Sequence, residues 1–303
     1  PEAYEGAELD AVSYVLLMEE MGKACISTAL TLNVHVALVG MSILKRGTEA
    51  QKQQYLPALA GGEMIGAFAL TEQGAGSDPS LLATTAIRDG DAYVLNGSKH
   101  WVTNAGIGHL ILAFARTPEE GDGNGISAFL VEVDSPGLKV GYREKTLGLR
   151  GIATHAVYFD DCRVPAANLL GETGRGMAIA LEALDFSRIG LSAICLGAAE
   201  AAVEAGTQFA IEHEQFGGPI AHKQAIQNMI ADSLAEIEAM RYLVYHAAWL
   251  SDQGERTTIE ATHTKLICSE YAMRIANRMV QVHGGYGYMK EYAIERIYRD
   301  LRA

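Results

Sequence analysis

Two stretches of the chain carry residue types suited to holding a flat, anionic ligand. Phe68 to Asp78 reads Phe-Ala-Leu-Thr-Glu-Gln-Gly-Ala-Gly-Ser-Asp, and Lys99 to Gly106 reads Lys-His-Trp-Val-Thr-Asn-Ala-Gly. In the first, Phe68, Leu70 and Thr71 lie along a predicted strand that leads into a glycine-rich turn ending at Ser77 and Asp78. Gly74 and Gly76 would let the backbone turn tightly and approach a ligand closely, and successive turn amides can face phosphate oxygens. In the second, the Trp101 indole beside the Thr103 hydroxyl suits a flat heterocycle with a polar edge. Taken singly, the first stretch also reads as a strand with an ordinary surface loop. Trp101 alone also reads as a core aromatic.

The elements around these stretches segregate by type. Residues 9 to about 63 carry helical spacing, with an apolar helix from Val34 to Leu44 that ends before Arg46-Gly47. Thr48 followed by Gln51 has the pattern of a capping box. From Ala67 to about Val164 the chain turns to short strand candidates at Ala83–Ile87, Ala92–Leu95, Leu110–Ala115, Ala128–Val133 and Val157–Phe159. Asp89-Gly90 and Asn96-Gly97 both have hairpin-turn chemistry, and Pro165 marks a boundary. Beyond Gly176 the pattern is helical again. Ala198, Ala201, Ala202 and Ala205 form a small-residue stripe. A helix from about Thr258 to His283 stops at Gly284-Gly285. The predicted fold class is α+β: N-terminal helices to residue 66, a central β-barrel or sandwich domain over 67–167, and a C-terminal helical bundle over 168–303. Helices and strands that segregate in this way argue against a doubly wound nucleotide fold.

Bulk properties narrow the function. A chain of 303 residues with 49% hydrophobic and 20% charged residues suits a globular enzyme with sizeable cores. Its formal net charge of −13 argues against nucleic-acid or anionic-membrane binding. The region from Asn168 onward is itself acidic. Cys25, Cys162, Cys195 and Cys268 are scattered without CxxC spacing, which predicts a reducing compartment. No run of 18 apolar residues exists, so no membrane span is predicted. His35, His155, His222 and His283 lack metal-ligand spacing, so no metal is predicted.

Three further motifs follow. Leu184-Asp185-Phe186-Ser187-Arg188 places Asp185 and Arg188 on one helix face, where alone they make an ordinary surface pair. His213-Glu214-Gln215-Phe216-Gly217-Gly218-Pro219-Ile220 precedes Gln224, and Gln281-Val282-His283-Gly284-Gly285 closes the long helix. Gly171 to Gly176 is glycine-rich, but no βαβ unit surrounds it, so it is not a dinucleotide fingerprint. In their order along nearly the whole chain, these motifs and the two opening stretches resemble the acyl-CoA dehydrogenase family.

That resemblance implies FAD as cofactor. Phe68, Leu70, Thr71, Gly76 and Ser77 would run along the flavin, with Trp101, Val102 and Thr103 against the isoalloxazine. Ser77 would also face the acyl-CoA, whose pantetheine arm Asp185, Phe186, Ser187 and Arg188 would hold. His213, Gln215, Phe216, Gln224, Gln281, Gly284 and Gly285 would serve the nucleotide end, from a neighbouring subunit of a homotetramer. The family has Arg where this chain has His213, which forfeits a permanent charge at that contact. The implied reaction is FAD-dependent dehydrogenation of an acyl-CoA thioester to the trans-2-enoyl-CoA, with electrons passed to an electron-transfer flavoprotein. The alternatives are a non-catalytic partner subunit, a flavin monooxygenase or acyl-CoA oxidase, and, less in keeping with the acidic charge, a DNA-associated flavoprotein. The implied compartment is a bacterial cytoplasm or a mitochondrial matrix. Against the family the chain reads as truncated at both ends. No residue is assigned as catalytic base: Ser187 fills one family position, and the commoner one lies past Ala303.

Overall fold

The structure, a computed structural model, describes residues 1–117 and 125–303. The chain folds into two compact units. One comprises Pro1–Glu8, Thr31–Lys145 and Ile152–Ser187; the other comprises Leu9–Leu30, Thr146–Gly151 and Arg188–Ala303.

Helix α1 (Ala11–Ala24) starts at Asp10, whose carboxylate accepts from the Ser13 amide at 2.7 Å. After Cys25 the chain is helical without a break from Ile26 to Arg46, as α2 (Ile26–Asn33), a π-helical stretch (Val34–Gly40) and α3 (Met41–Arg46). The helical character expected from residue 9 to about 63 thus includes this segment, and the apolar helix expected over Val34 to Leu44 forms its later part. The π-helical stretch, invisible to a 3.6-residue pattern, shifts the buried face, so that Val34, Ala37, Leu38, Val39 and Ile43 all point inward. Ile26–Arg46 has the length and hydropathy of a membrane span, but 56% of its apolar window is buried within the protein. Helix α4 (Glu49–Ala60) opens with the predicted capping box, the Thr48 and Gln51 side chains each accepting from the other's amide.

The first unit is built on one eight-stranded sheet. Its strands are β1 (Gly66–Ala69), β2 (Thr85–Asp89), β3 (Ala92–Val102), β4 (Leu110–Arg116), β5 (Ile126–Glu132), β6 (Leu138–Arg143), β7 (His155–Pro165) and β8 (Leu169–Leu170). They pair in the order β6-β7-β3-β2-β4-β5-β8, with β1 alongside β4 in parallel. Strand β4 reads as a continuous apolar run because both its faces are covered. Leu110, Leu112 and Phe114 pack with Ile43, Tyr55, Leu56 and Leu59, while Ile111, Ala113 and Ala115 pack with Tyr93, Leu95, Val157 and Phe159. His35 joins helix and sheet: its Nδ1 accepts from the Gly66 amide and its Nε2 donates to the Leu59 carbonyl, both at 3.0 Å. Burial holds this imidazole below its ordinary pKa, which suits the neutral tautomer that those bonds require.

Asp89-Gly90 forms the predicted hairpin between β2 and β3. Asn96-Gly97 does not. It lies inside β3 as a bulge, where Gly97 has φ +145° and Thr84 packs directly against it. The strand predicted through Thr71 ends at Ala69. Strands β6 and β8 escaped the reading because they are short and mostly solvent-facing or paired at one edge.

In the second unit, α1 packs with the later part of α5 (Gly176–Glu212) and with α6 (Gln224–Asp252), α6 packs with α7 (Thr258–His283), and α7 packs with α8 (Ala293–Leu301). The predicted alanine stripe is only partly enclosed: Ala198 and Ala202 are fully buried, Ala201 and Ala205 half-buried. Closer approach comes from glycines. A Cβ on Gly22 would sit 2.5 Å from the Ile194 carbonyl oxygen, and one on Gly197 would run into the Glu19 carbonyl. Across this contact, Arg241 donates to buried Glu19 at 2.6 Å and to Glu200 at 2.5 Å, and the Tyr245 hydroxyl donates to Glu19 at 2.7 Å. On α7, Ile275 and Val282 are buried while Ile259 and Leu266 face outward.

Adding a methyl group at Gly197 must push α1 away from α5. Overpacking of this kind costs ~1–3 kcal/mol or more. Gly197→Ala is therefore expected to lower the urea midpoint clearly, whereas Ala201→Gly should cost no more than about 1 kcal/mol, the helix-propensity difference. Equal, small effects from both would show that the helices are not in contact there.

Candidate functional site

Thr71, just past β1, is held from three sides. Its carbonyl accepts from the His100 amide at 2.9 Å. On either side of it, the Lys99 ammonium donates to the Leu70 carbonyl at 3.3 Å and to the Glu72 carboxylate at 2.7 Å. Lys99 is completely buried and Glu72 nearly so. Glu72 also accepts from the Ala83 amide (2.6 Å), the Thr84 amide (3.1 Å) and the Thr84 hydroxyl (2.6 Å). Burial pushes the Glu72 carboxyl up, but bonds from Lys99, Thr84 and Ala83 outweigh it and leave it below its ordinary range. Burial lowers Lys99 to about 8, with Glu72 opposing the shift. Both groups are thus charged at neutral pH.

Glu72 and Ala75 exchange both backbone hydrogen bonds at 3.1 Å, which closes a tight turn with Gln73 and Gly74 at its tip. Gly74 and Gly76 have no positive φ, and nothing lies within 4 Å of where a Cβ would stand. A tight turn is one use that the sequence suggests for these glycines. The turn does not need them, so the missing side chains leave room for something outside the chain. Gly76 and Ser77 are exposed, Thr71 is half-buried, Leu70 is buried, and Phe68 packs its ring 5.0 Å from that of Phe114.

Trp101 follows directly from this arrangement. The pairing of β3 with β7 slips between Lys99 and Val102, and within the slip Trp101 takes φ +54°. A bulky residue rarely adopts that conformation. The bulge turns the indole outward, 60% exposed, so it is not the core aromatic that a tryptophan ordinarily becomes. Val102 turns inward to the sheet core, leaving only its main chain to meet a ligand, and Thr103 is half-buried. Beneath them, fully buried Asn104 donates to the Thr31 carbonyl at 3.0 Å and the Gly66 carbonyl at 3.1 Å.

Lys99, Glu72 and Asn104 were not recognised from sequence as positioning residues. Lys99 did carry a signal, because it continues the inward alternation of Tyr93 and Leu95 along β3. A lysine at a core position needs a buried partner.

The motif on α5 places Asp185 and Arg188 one turn apart and half-buried, with Phe186 also half-buried. Ser187 is buried, and its hydroxyl accepts from the Asn33 side chain at 2.9 Å. That side chain is occupied within the fold.

The second unit brings together the remaining predicted residues. His213 to Ile220 forms a small hairpin, with the Ile220 amide donating to the His213 carbonyl and the Gln215 amide to the Gly218 carbonyl. Phe216 (φ +55°) and Gly217 (φ +83°) make its two-residue tip, and Phe216 is 92% exposed. Two consecutive positive φ values define a type I′ turn, in which a phenylalanine is strained. The His213 ring stacks on Phe209 at 4.8 Å and meets Tyr286 edge-on at 5.5 Å. This joins the hairpin root to the turn after α7, where Gln281, Gly284 and Gly285 are exposed and both glycines border open space. Gln224 is exposed at the first turn of α6. Among the described residues, no group of three or more His, Cys, Asp or Glu could hold a metal ion.

The two clusters fit a flavin dinucleotide chemically: an outward indole beside polar hydroxyls and open glycine turns in one, exposed amide side chains beside glycines in the other. Comparison with known proteins agrees. Three profiles match in sequence order, the acyl-CoA dehydrogenase N-terminal domain over residues 1–63, the middle domain over 67–162 and the C-terminal domain over 174–303. An acyl-CoA dehydrogenase of Bacillus subtilis is 45% identical over 302 residues, covering 100% of this chain and 80% of its own length. A chain from the electron transferring flavoprotein structure of Acidaminococcus fermentans superposes with a TM-score of 0.97 at 44% identity, covering 100% of this chain and 80% of that one. An acyl-CoA dehydrogenase of Bacillus anthracis complexed with FAD superposes with a TM-score of 0.95 at 37% identity, covering 100% and 55%. The outward Trp101, the open glycine turn and the three matched domains together make this chain a member of the acyl-CoA dehydrogenase family.

Proposed function

We propose that this protein binds FAD and removes the α proton and β hydride of an acyl-CoA thioester, yielding the trans-2-enoyl-CoA. The carrying observation is the bulge that turns Trp101 outward beside Thr103, next to a glycine turn with room for a ligand. FAD supplies, when bound, the two-electron acceptor chemistry that no amino-acid side chain provides. The chain's own task is placement. Trp101 offers an apolar face, Thr71 and Thr103 offer polar groups for a ring edge, and Phe68, Leu70, Gly76, Ser77 and the Val102 main chain complete that side. Gln215, Phe216, Gln224, Gln281, Gly284 and Gly285 serve the nucleotide end, reaching it from a neighbouring copy in a dimer of dimers. Asp185, Phe186 and Arg188 hold the CoA arm through charge and contact, and Ser77 faces the acyl thioester. The electron acceptor is an electron-transfer flavoprotein, a reading supported by the similarity to the Acidaminococcus structure.

One observation favours a second reading, a non-catalytic partner subunit. His213 is taken up in the stack with Phe209 and Tyr286, where the family carries a permanently charged arginine. In the full-length protein, flavin uptake with acyl-CoA turnover supports the first reading; flavin uptake without turnover supports the second.

The purified protein should carry a visible flavin band near ~450 nm, a property of the cofactor itself. Colourless protein that takes up no added FAD would contradict the proposal. Asp185→Ala and Arg188→Ala should each weaken acyl-CoA binding by roughly 10- to 100-fold, as loss of a charge-assisted bond does. FAD affinity should hardly change. Equal losses for both ligands would place these residues in the scaffold instead. Sedimentation should give a species larger than one chain, and a stable FAD-saturated monomer would remove the shared site.

A further inference from the structure

We propose that Lys99 and Glu72 form a clasp that sets the position of Thr71 relative to Trp101, and that this clasp is a positioning device for the flavin ring. The inference rests on the FAD reading above but concerns residues that it does not assign.

The geometry argues for more than ordinary core packing. Lys99 reaches the carbonyl before Thr71 and the carboxylate after it, while the Thr71 carbonyl is fixed to the amide of His100, the neighbour of Trp101. One ammonium therefore fastens the segment carrying Thr71 to the strand carrying Trp101. Glu72 extends the fastening to the start of β2 through Thr84, and it anchors the turn that bears Gly74 and Gly76. Every acceptor of this buried lysine is in the ligand-facing segment. An apolar pair would serve stability equally well, because buried ion pairs are seldom better than well-packed hydrophobic residues. It could not hold the Leu70 carbonyl, nor set Thr71 to a fraction of an ångström as a ring edge requires.

The test uses the complete protein stripped of flavin. Lys99→Met removes the clasp at similar length, and Val131→Ala, at a fully buried position of β5, which β4 separates from β1, serves as a control that loosens the same sheet without removing any of the clasp's hydrogen bonds. FAD titration of each apoprotein and amide hydrogen exchange over residues 70–77 and 100–103 are measured together. Lys99→Met is expected to bind FAD on the order of tenfold more weakly, the equivalent of about 1.4 kcal/mol. Its exchange should quicken in those two segments before any FAD is added, while Val131→Ala keeps wild-type affinity and protection there. If Lys99→Met does not fold, Glu72→Gln carries the same comparison, since it keeps the side-chain shape and removes the charge. Wild-type FAD affinity in both clasp variants, or losses matched by Val131→Ala, would overturn the clasp. Unaltered protein that fails to bind FAD would instead overturn the FAD reading itself.

Discussion

A lysine and a glutamate buried side by side constrain everything around them. Moving each charge out of water costs several kcal/mol even after relaxation. The arrangement persists only because the Lys99–Glu72 contact is short, at 2.7 Å, and because Thr84 and two backbone amides satisfy the rest of the carboxylate. Meeting those demands fixes three otherwise separate pieces: the end of β1, the start of β2 and the middle of β3. Directly after this anchor, the pairing of β3 with β7 slips between Lys99 and Val102, and Trp101 turns out within the slip. The exposed indole thus stands two residues along β3 from the buried ion pair.

The second unit solves a different problem. Its helices approach closely through Gly22, Gly197 and Gly206, and the Glu19–Arg241–Tyr245 contacts tie α1 to α6. On this frame the hairpin from His213 and the turn after α7 are linked by a ring stack centred on Phe209, which touches His213, His283, Tyr286 and Tyr292. The stack leaves the polar ends of Gln215, Gln224 and Gln281 exposed. An aromatic base with exposed amide side chains beside it suits hydrogen bonding to a nucleotide better than it suits general acid–base chemistry.

Local signals were legible in the sequence, and non-local ones were not. The Thr48–Gln51 cap, the Asp89-Gly90 hairpin and the bounds of α7 each depend on a few consecutive residues, and each stands as read. Asn96-Gly97 has the same turn chemistry as Asp89-Gly90, yet its glycine answers to Thr84 pressing from β2, a contact between segments that composition cannot reveal. The π-helical stretch at Val34–Gly40 likewise answers to packing, with Val39 against Gly66. At the site, the order of motifs pointed to the right segments because residue types such as Trp101 and Thr103 are distinctive. Which side chains face outward depends on the β3 bulge for Trp101 and Val102 and on the contact with Asn33 for Ser187, so the inward Val102 and the engaged Ser187 emerge only from the structure. Lys99 and Glu72 lie 27 residues apart and belong to different motifs, so nothing in either motif announces their pairing.

The most direct test of the account is whether bound flavin lies against Trp101. The protein has two tryptophans, Trp101 and Trp249, so a Trp249→Phe variant leaves Trp101 as the only indole emitter. Titrating flavin-free protein of this variant with FAD should quench the emission almost completely, saturating together with the growth of the visible flavin band. FAD that binds while the Trp101 emission stays unchanged, or that does not bind at all, would contradict the central claim.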